Sequence, residues 1–389
     1  MDLSYPPEAE AFRAEFRAWL DSHLTDDVRG LGWGSSLDPD AETLDRLRTW
    51  NRTLADARYA AIAWPEAYGG RGAGAIDQVV FAEEMSRADA PGTLNPIGIS
   101  NIAPAIMTYG TEEQKQRFLP AMLRGDDIWC QGFSEPEAGS DLASLRATAV
   151  RDGDHYVVNG QKVWNTLGHL ASWCELLVRT DPEAPKHKGI SCLLVDMTLP
   201  GIEVRPLVTI TGEREFNELF FTDVHVPVDG LLGPEHEGWR VAMTTLTHER
   251  GGVAPLHLSL RRKVARLLDE AKRTVIDADG TVAADDPVLR QQLARVYLEA
   301  EYLKLLADRA VSGTIHGRES GPEASIAKLW WSETEQHLAE VAGEVLGPAG
   351  LSGSWGRDRV YARALSIAGG TTQVNKNIIA QRILGLPRK

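Results

Sequence analysis

The chain has 389 residues, 43% of them hydrophobic and 25% charged, the balance of a globular protein long enough for two or three domains. Its formal net charge of −14 excludes a surface built for indiscriminate binding to nucleic acid or anionic membranes, because polyanions are repelled. No apolar run is long enough to span a bilayer, and Met-Asp-Leu-Ser-Tyr-Pro-Pro-Glu at the start lacks the parts of a secretory signal. Cys130, Cys174 and Cys192 are odd in number and widely spaced, which fits free thiols in a reducing cytoplasm better than a disulfide or metal framework.

Residues 7 to about 125 read as helical, with charge interrupting apolar positions across 11–20 and 44–57. Residues 64–72, Trp-Pro-Glu-Ala-Tyr-Gly-Gly-Arg-Gly, break that pattern and read as a loop between helices, since they lack the spacing of a dinucleotide-binding turn. Thr111-Glu112-Glu113-Gln114 then reads as a capping box that opens a helix running through about Leu123. Between 129 and 145 a β-favouring start gives way to Ser134, Pro136, Gly139, Ser140 and Asp141. This predicts a strand ending in a polar loop that offers N–H groups and hydroxyls to a flat cofactor on one side and a substrate on the other. The local alternative is a helix start, with Ser134 and Glu137 as a capping box.

From about 126 to 233 the runs are short and β-rich. Tyr156-Val157-Val158 and Gln161-Lys162-Val163-Trp164 flank Asn159-Gly160, a hairpin signal, and further strands are expected over 190–195, 202–208 and 219–226. From 236 helices return: Leu289, Leu293, Val296, Ala300, Leu303 and Ala307 recur at helical spacing, and helices are also expected over 325–345 and 375–384. The organisation predicted is a helical domain over 1–125, an antiparallel β domain over 126–235 and a helical domain over 236–389, without internal repeats. In the helix that starts this last part, Trp239, Ala242, Met243 and Leu246 mark a stripe that Glu249 and Arg250 continue. A carboxylate on a buried helical face must be neutralised, paired or functional; an internal ion pair, with Arg250 or with an arginine of another helix, is the plainer reading. His248 points about a third of a turn away and reads as a surface or packing residue.

Phe133-Ser134-Glu135-Pro136-Glu137-Ala138-Gly139-Ser140-Asp141 resembles the signature of the acyl-CoA dehydrogenase family. Asn159-Gly160-Gln161-Lys162-Val163-Trp164-Asn165-Thr166 and Gly370-Thr371-Thr372-Gln373 follow in family order, so the resemblance spans nearly the whole chain. It implies an α+β multi-domain fold: an N-terminal helical domain, a middle antiparallel β domain and a C-terminal helical bundle, with FAD between the last two. It also implies α,β-dehydrogenation of an acyl-CoA thioester to the 2,3-enoyl-CoA, electron-transfer flavoprotein as acceptor, and a homo- or hetero-tetramer. Since no side chain accepts hydride, the flavin must supply that chemistry. By the same resemblance Phe133 and Ser134 meet the flavin ring and Trp164 and Thr166 cover it from the other side. Thr371 and Gln373 touch it near the C-terminus. Ser140 lies near the thioester or carrier portion, and Asp141 fastens the loop. Taken without the motif, Trp164 reads as a core aromatic of the hairpin.

Many family members carry the catalytic base just before Gly-Thr in the C-terminal motif, where this chain has Gly369, which cannot take a proton. A minority, resembling the long-chain and isovaleryl types, place a glutamate on the earlier helix immediately before an arginine. Glu249-Arg250 matches them. The resemblance therefore implies Glu249 as the base, Gly369 as an oxyanion donor through its backbone N–H, and Arg250 as a residue supporting the active site or the substrate's carrier portion. Two departures stand out. Residues 280–289 hold no counterpart of the Arg-x-x-Phe-Gly segment through which a neighbouring subunit reaches the flavin diphosphate, and Glu344 occupies a region where relatives have glutamine. An oxygen-using oxidase or monooxygenase of the same fold, or a non-catalytic partner subunit, are the rival readings. Ser325-Ile326-Ala327-Lys328 also fits Ser-x-x-Lys, but within a helical pattern.

Overall fold

The computed structural model describes residues 5–32, 37–251, 256–316 and 321–387, with 249–251 described by backbone alone. Apolar positions at helical spacing produce α1 (Pro7–His23) and α2 (Ala41–Asp56), and Asp40 caps the second by accepting the Thr43 N–H at 2.8 Å. Next come α3 (Ala75–Ala88), α4 (Ala103–Tyr109) and α5 (Glu112–Arg124). The expected capping box opens α5: Thr111 Oγ1 accepts the Gln114 N–H at 3.2 Å, and Gln114 Oε1 accepts the Thr111 N–H at 3.0 Å. Residues 64–72 form the expected loop, whose chain passes itself so closely that a Cβ on Gly70 would lie 2.0 Å from the Trp64 carbonyl oxygen.

The strands are β1 (Trp129–Gly132), β2 (Thr148–Asp152), β3 (His155–Val163), β4 (Trp173–Arg179), β5 (Ile190–Asp196), β6 (Ile202–Leu207), β7 (Phe216–Pro227) and β8 (Leu231–Leu232). They form one sheet in the order β6-β7-β3-β2-β4-β5-β8, with β1 beside β4. Pairing is antiparallel except for β1 with β4 and the single Thr148–Arg179 pair of β2 with β4. One face buries Cys130, Cys174, Leu176, Val178, Val158 and Val195 in a continuous core. All three cysteines are buried free thiols.

Asn159-Gly160 is not a hairpin turn. β3 runs straight through it with a bulge against β7 between Val158 and Gly160. The asparagine is consumed across the ladder, its Nδ2 donating to Asp223 Oδ1 at 3.0 Å while its Oδ1 accepts the Asp223 N–H at 2.9 Å. The glycine is required by close approach, since a Cβ would lie 2.7 Å from Ala147 Cα. The hairpin turn between β2 and β3 falls instead at Gly153, whose φ is +61°.

The helices that follow are α6 (Gly238–Gly251), α7 (Leu256–Ala271), α8 (Pro287–Ile315), α9 (Ala324–Leu346), α10 (Gly353–Leu365) and α11 (Thr372–Ile378), which runs into a π turn at Ile379–Ile383. On α8, Leu293, Val296, Ala300, Leu303 and Ala307 are buried as their spacing predicts. They share a core with Leu260 and Val264 of α7 and Leu338 and Val341 of α9. The chain divides into two compact units: residues 1–9, 75–86 and 250–389, and residues 10–74 and 87–249, the latter carrying the whole sheet. Among the described residues no helix is long and apolar enough to cross a membrane.

Candidate functional site

Two stretches distant in sequence meet at one corner of the sheet. β1 ends at Gly132, after which Phe133 is buried and Ser134 half-buried, and the Ser134 carbonyl accepts the Val163 N–H at 2.9 Å. The loop then closes on itself, because Glu135 and Ala138 exchange backbone hydrogen bonds at 3.1 and 3.0 Å. No helix starts here, and Glu137 lies exposed 3.4 Å from Arg146, so the capping-box reading of Ser134 and Glu137 is overturned. The polar side chain that shapes the turn is Glu135: its carboxylate accepts the Arg146 and Ala147 N–H groups at 2.7 and 2.9 Å and the Lys162 ammonium at 2.8 Å. Lys162 is fully buried and also donates to the Phe133 carbonyl at 3.1 Å. Burial pulls its ammonium below the ordinary value, against the pull of the Glu135 charge. Glu135 and Lys162 were not among the expected site residues. Their signal was present in Lys162, a charge flanked by strand residues.

At the end of β3 the backbone of Trp164 turns left-handed, φ +64°, and its side chain is 59% exposed, in an edge-on ring contact with Phe216 at 5.7 Å between centroids. It is therefore no core aromatic. A non-glycine residue holds this conformation only where neighbours impose it. Here the Asn165 N–H donates to the Asn217 carbonyl at 3.1 Å, Asn217 Nδ2 returns a bond to the Asn165 carbonyl at 2.9 Å, and Asn165 Nδ2 donates to the Gln131 carbonyl at 2.6 Å. Thr166 follows, half-buried. Gln131 Nε2 and Asn165 Oδ1 are buried without a partner among the described residues. Farther along the loop Ser140 is exposed, and Asp141 does fasten it, accepting from Ser144 Oγ at 2.7 Å and from the Lys186 ammonium. The hydrogen bond from Lys186 holds the Asp141 carboxyl below its ordinary range.

Helix α6 packs its start on β5, where a Cβ on Gly238 would lie 2.4 Å from the Ser191 carbonyl carbon. The buried seam of the helix is Gly238, Val241, Ala242 and Thr245, so the expected stripe is rotated: Ala242 is buried, whereas Trp239, Met243 and Leu246 are half-buried. Trp239 and Met243, with Tyr109, Arg240, Thr244, Thr247 and His248, line a cavity of about 380 Å³. His248 is exposed, its Nδ1 donating to the Thr244 carbonyl at 2.9 Å. Glu249 and Arg250 continue the helical backbone, and their side chains lie outside the described residues.

In the other unit the C-terminal residues fall on one turn. Gly369 and Gly370 have φ of +63° and +93°, conformations that exclude larger residues without strain. Lys328 Nζ and Asn375 Nδ2 both donate to the Gly370 carbonyl at 2.7 Å. Thr371 caps α11, its Oγ1 accepting the Val374 N–H at 3.2 Å, and Gln373 is exposed on the first turn. Ser-x-x-Lys is thus absorbed into packing, with Ser325 and Lys328 both buried and the lysine holding the glycine turn.

Models of the acyl-CoA dehydrogenase N-terminal, middle and C-terminal domains match residues 6–126, 130–224 and 236–384. The chain belongs to the acyl-CoA dehydrogenase family. The acyl-CoA dehydrogenase IpdE1 of Mycobacterium tuberculosis is 40% identical, covering 98% of this chain and 99% of that one. FadE26 of the same organism is 37% identical over 100% and 99%. Among solved structures, the Tcur3481-Tcur3483 steroid ACAD superposes with a TM-score of 0.86 at 31% identity over the full length of both chains. The ChsE4-ChsE5 complex from Mycobacterium tuberculosis gives 0.84 at 36% over the full length of both. As an acyl-CoA dehydrogenase the chain is an oxidoreductase of a flavoprotein family, with the helical, β, helical order that the motifs implied.

Proposed function

We propose that this acyl-CoA dehydrogenase binds FAD and oxidises the Cα–Cβ bond of an acyl-CoA thioester to the 2,3-enoyl-CoA. The observation that carries the reading is the corner where Ser134 and Trp164 meet. A left-handed backbone turns an indole outwards beside the loop that carries the Ser134 hydroxyl and the turn that carries the Thr166 hydroxyl, the first held by the buried Glu135–Lys162 pair and the second by the hydrogen bonds of Asn165. A flat, hydrogen-bonding ring fits that donor set: Trp164 offers a stacking face, Phe133 an apolar one, and the hydroxyls and backbone offer polar contacts. FAD would supply the acceptor for the hydride that leaves Cβ, a chemistry no side chain offers. Phe133, Ser134, Trp164, Thr166, Thr371 and Gln373 are the residues that would hold it, by the family motifs they match.

Glu249 takes the α-proton, as the glutamate-before-arginine arrangement supports and as Gly369 at the alternative position demands. The Gly369 N–H serves the thioester carbonyl, where negative charge develops as the proton leaves. Ser140 and Arg250 serve the carrier portion. The half-apolar cavity on the outer face of α6 suits a long thioester arm. Gly369 leaves room for a bulky acyl group, and a relative described as a steroid ACAD supports a steroid-derived chain. A hetero-oligomeric assembly is favoured by the same comparisons, since two of the similar structures are described by paired chains; the missing Arg-x-x-Phe-Gly segment agrees. Electron-transfer flavoprotein is the acceptor, with rapid reoxidation by air marking an oxidase or monooxygenase instead.

The test is stopped-flow bleaching of the flavin by octanoyl-CoA, isovaleryl-CoA and a steroid side-chain CoA thioester. Glu249→Gln is expected to slow the fastest of these by about a thousandfold or more. Bleaching at the parental rate removes Glu249 from the role, and no bleaching of the parent by any thioester removes the reaction.

A further inference from the structure

Strand β4 alternates its side chains across the sheet. Cys174, Leu176 and Val178 join the core on one face, and Glu175 lies on the other, towards α6. Glu175 is 0% exposed, and no ion pair among the described residues involves it. Its Oε1 accepts the Thr245 hydroxyl at 2.8 Å and the Cys192 thiol at 3.8 Å, while Oε2 has no partner among the described residues. Burial pushes this carboxyl up to about 8, so it is neutral and protonated under ordinary conditions. As a space-filler it is a poor choice, because an apolar side chain of the same volume would avoid the desolvation. Thr245 belongs to the buried seam of α6, four residues before position 249.

We infer that Glu175 is a positioning residue, which by accepting the Thr245 hydroxyl pins α6 to β4 one turn before Glu249 and fixes the height and rotation at which that helix presents its base. The inference rests on the reading of Glu249 given above. Among the described residues it is the one side-chain hydrogen bond from the buried seam of Val241, Ala242 and Thr245 to the sheet, so it specifies one register where apolar packing alone tolerates several. Without it the Thr245 hydroxyl falls back on the Val241 carbonyl, now 3.4 Å away, and the helix can slide or roll. A misplacement of about 1 Å at a reacting group is enough to slow a reaction a hundredfold.

The test uses the flavin-loaded enzyme and the thioester that bleaches it fastest. Glu175→Met and Thr245→Val each remove one partner at nearly constant volume, and Glu175→Gln keeps the acceptor. The two disruptive variants are expected to exchange the amides of residues 245–249 at least tenfold faster with deuterium. They are also expected to slow flavin reduction about tenfold with KM within twofold of the parent. The double variant is expected to be no slower than the slower single one, as for two ends of one contact. Glu175→Gln restores both rates. Parental exchange in folded Glu175→Met, faster exchange with no slowing of reduction, or multiplicative losses in the double variant would each overturn the inference. Parental bleaching in Glu249→Gln instead fails the base assignment, and the exchange result stands apart from it.

Discussion

Glu175 also writes a pH dependence into the stability of the chain. The folded state keeps its proton up to about pH 8, whereas an ordinary glutamate releases it near 4.5. Between those values the native state binds more protons than the unfolded one, so stability falls as pH rises, by roughly 1.4 kcal/mol for each pH unit. The groups facing it are the Thr245 hydroxyl, the Cys192 thiol and, in register on β1, Gln131, none of which brings a positive charge. Urea unfolding of Glu175→Gln at pH 5.5, 7 and 8.5 is expected to show a flatter slope than the parent, with the variant gaining most at the highest pH. Equal slopes would reject a protonated Glu175. Other single residues were misread for definable reasons. Asn159-Gly160 carries the chemistry of a hairpin turn, yet the asparagine finds Asp223 and the glycine finds Ala147, both supplied by parts of the chain that local pattern does not see.

Among the elements, Lys162 joins β3 to the loop after β1, and its loss is expected to loosen both. Lys162→Met keeps the stem but leaves the buried Glu135 carboxylate without its ion-pair partner, which costs about 3 kcal/mol. Chemical denaturation measures this, and a loss below about 1 kcal/mol would show that the pair does not hold the corner. How readily an element could be read followed its burial. α8 presents one face to the core, so its six-residue stripe marked it plainly. β4 is buried on both faces from Cys174 to Val178 and lacks the alternation that identifies a half-exposed strand, so local pattern does not mark it. The rotation of the α6 stripe has a similar cause. Trp239 and Met243 are apolar because they line a cavity, and periodicity does not distinguish a cavity wall from a core. The residues of the corner at Ser134 and Trp164 are legible only through the family signature, because what joins 134 to 163 is one backbone hydrogen bond.

For the whole molecule, α8 leaves a second apolar stripe uncovered. Leu298, Tyr302 and Leu305 are 48%, 48% and 56% exposed at spacings that place them on one face. A contiguous apolar face of this kind is expected to lie between chains in the family's tetramer. Replacing Leu298 and Leu305 together with lysine is expected to shift the assembly to smaller species, read as mass by light scattering after size exclusion. An unchanged mass would exclude α8 from the interface.

The outward indole at the end of β3 has an optical consequence. The chain contains 11 tryptophans, and Trp164 alone among those in the described residues is in the exposed class. Its fluorescence is expected at long wavelength and open to quenching by iodide, while buried emitters such as Trp129 are shielded. Subtracting the emission of Trp164→Phe from that of the parent isolates the signal. An electron-poor ring that stacks on the indole will quench it, so filling of the corner by such a ring can be followed by light alone, with no turnover required.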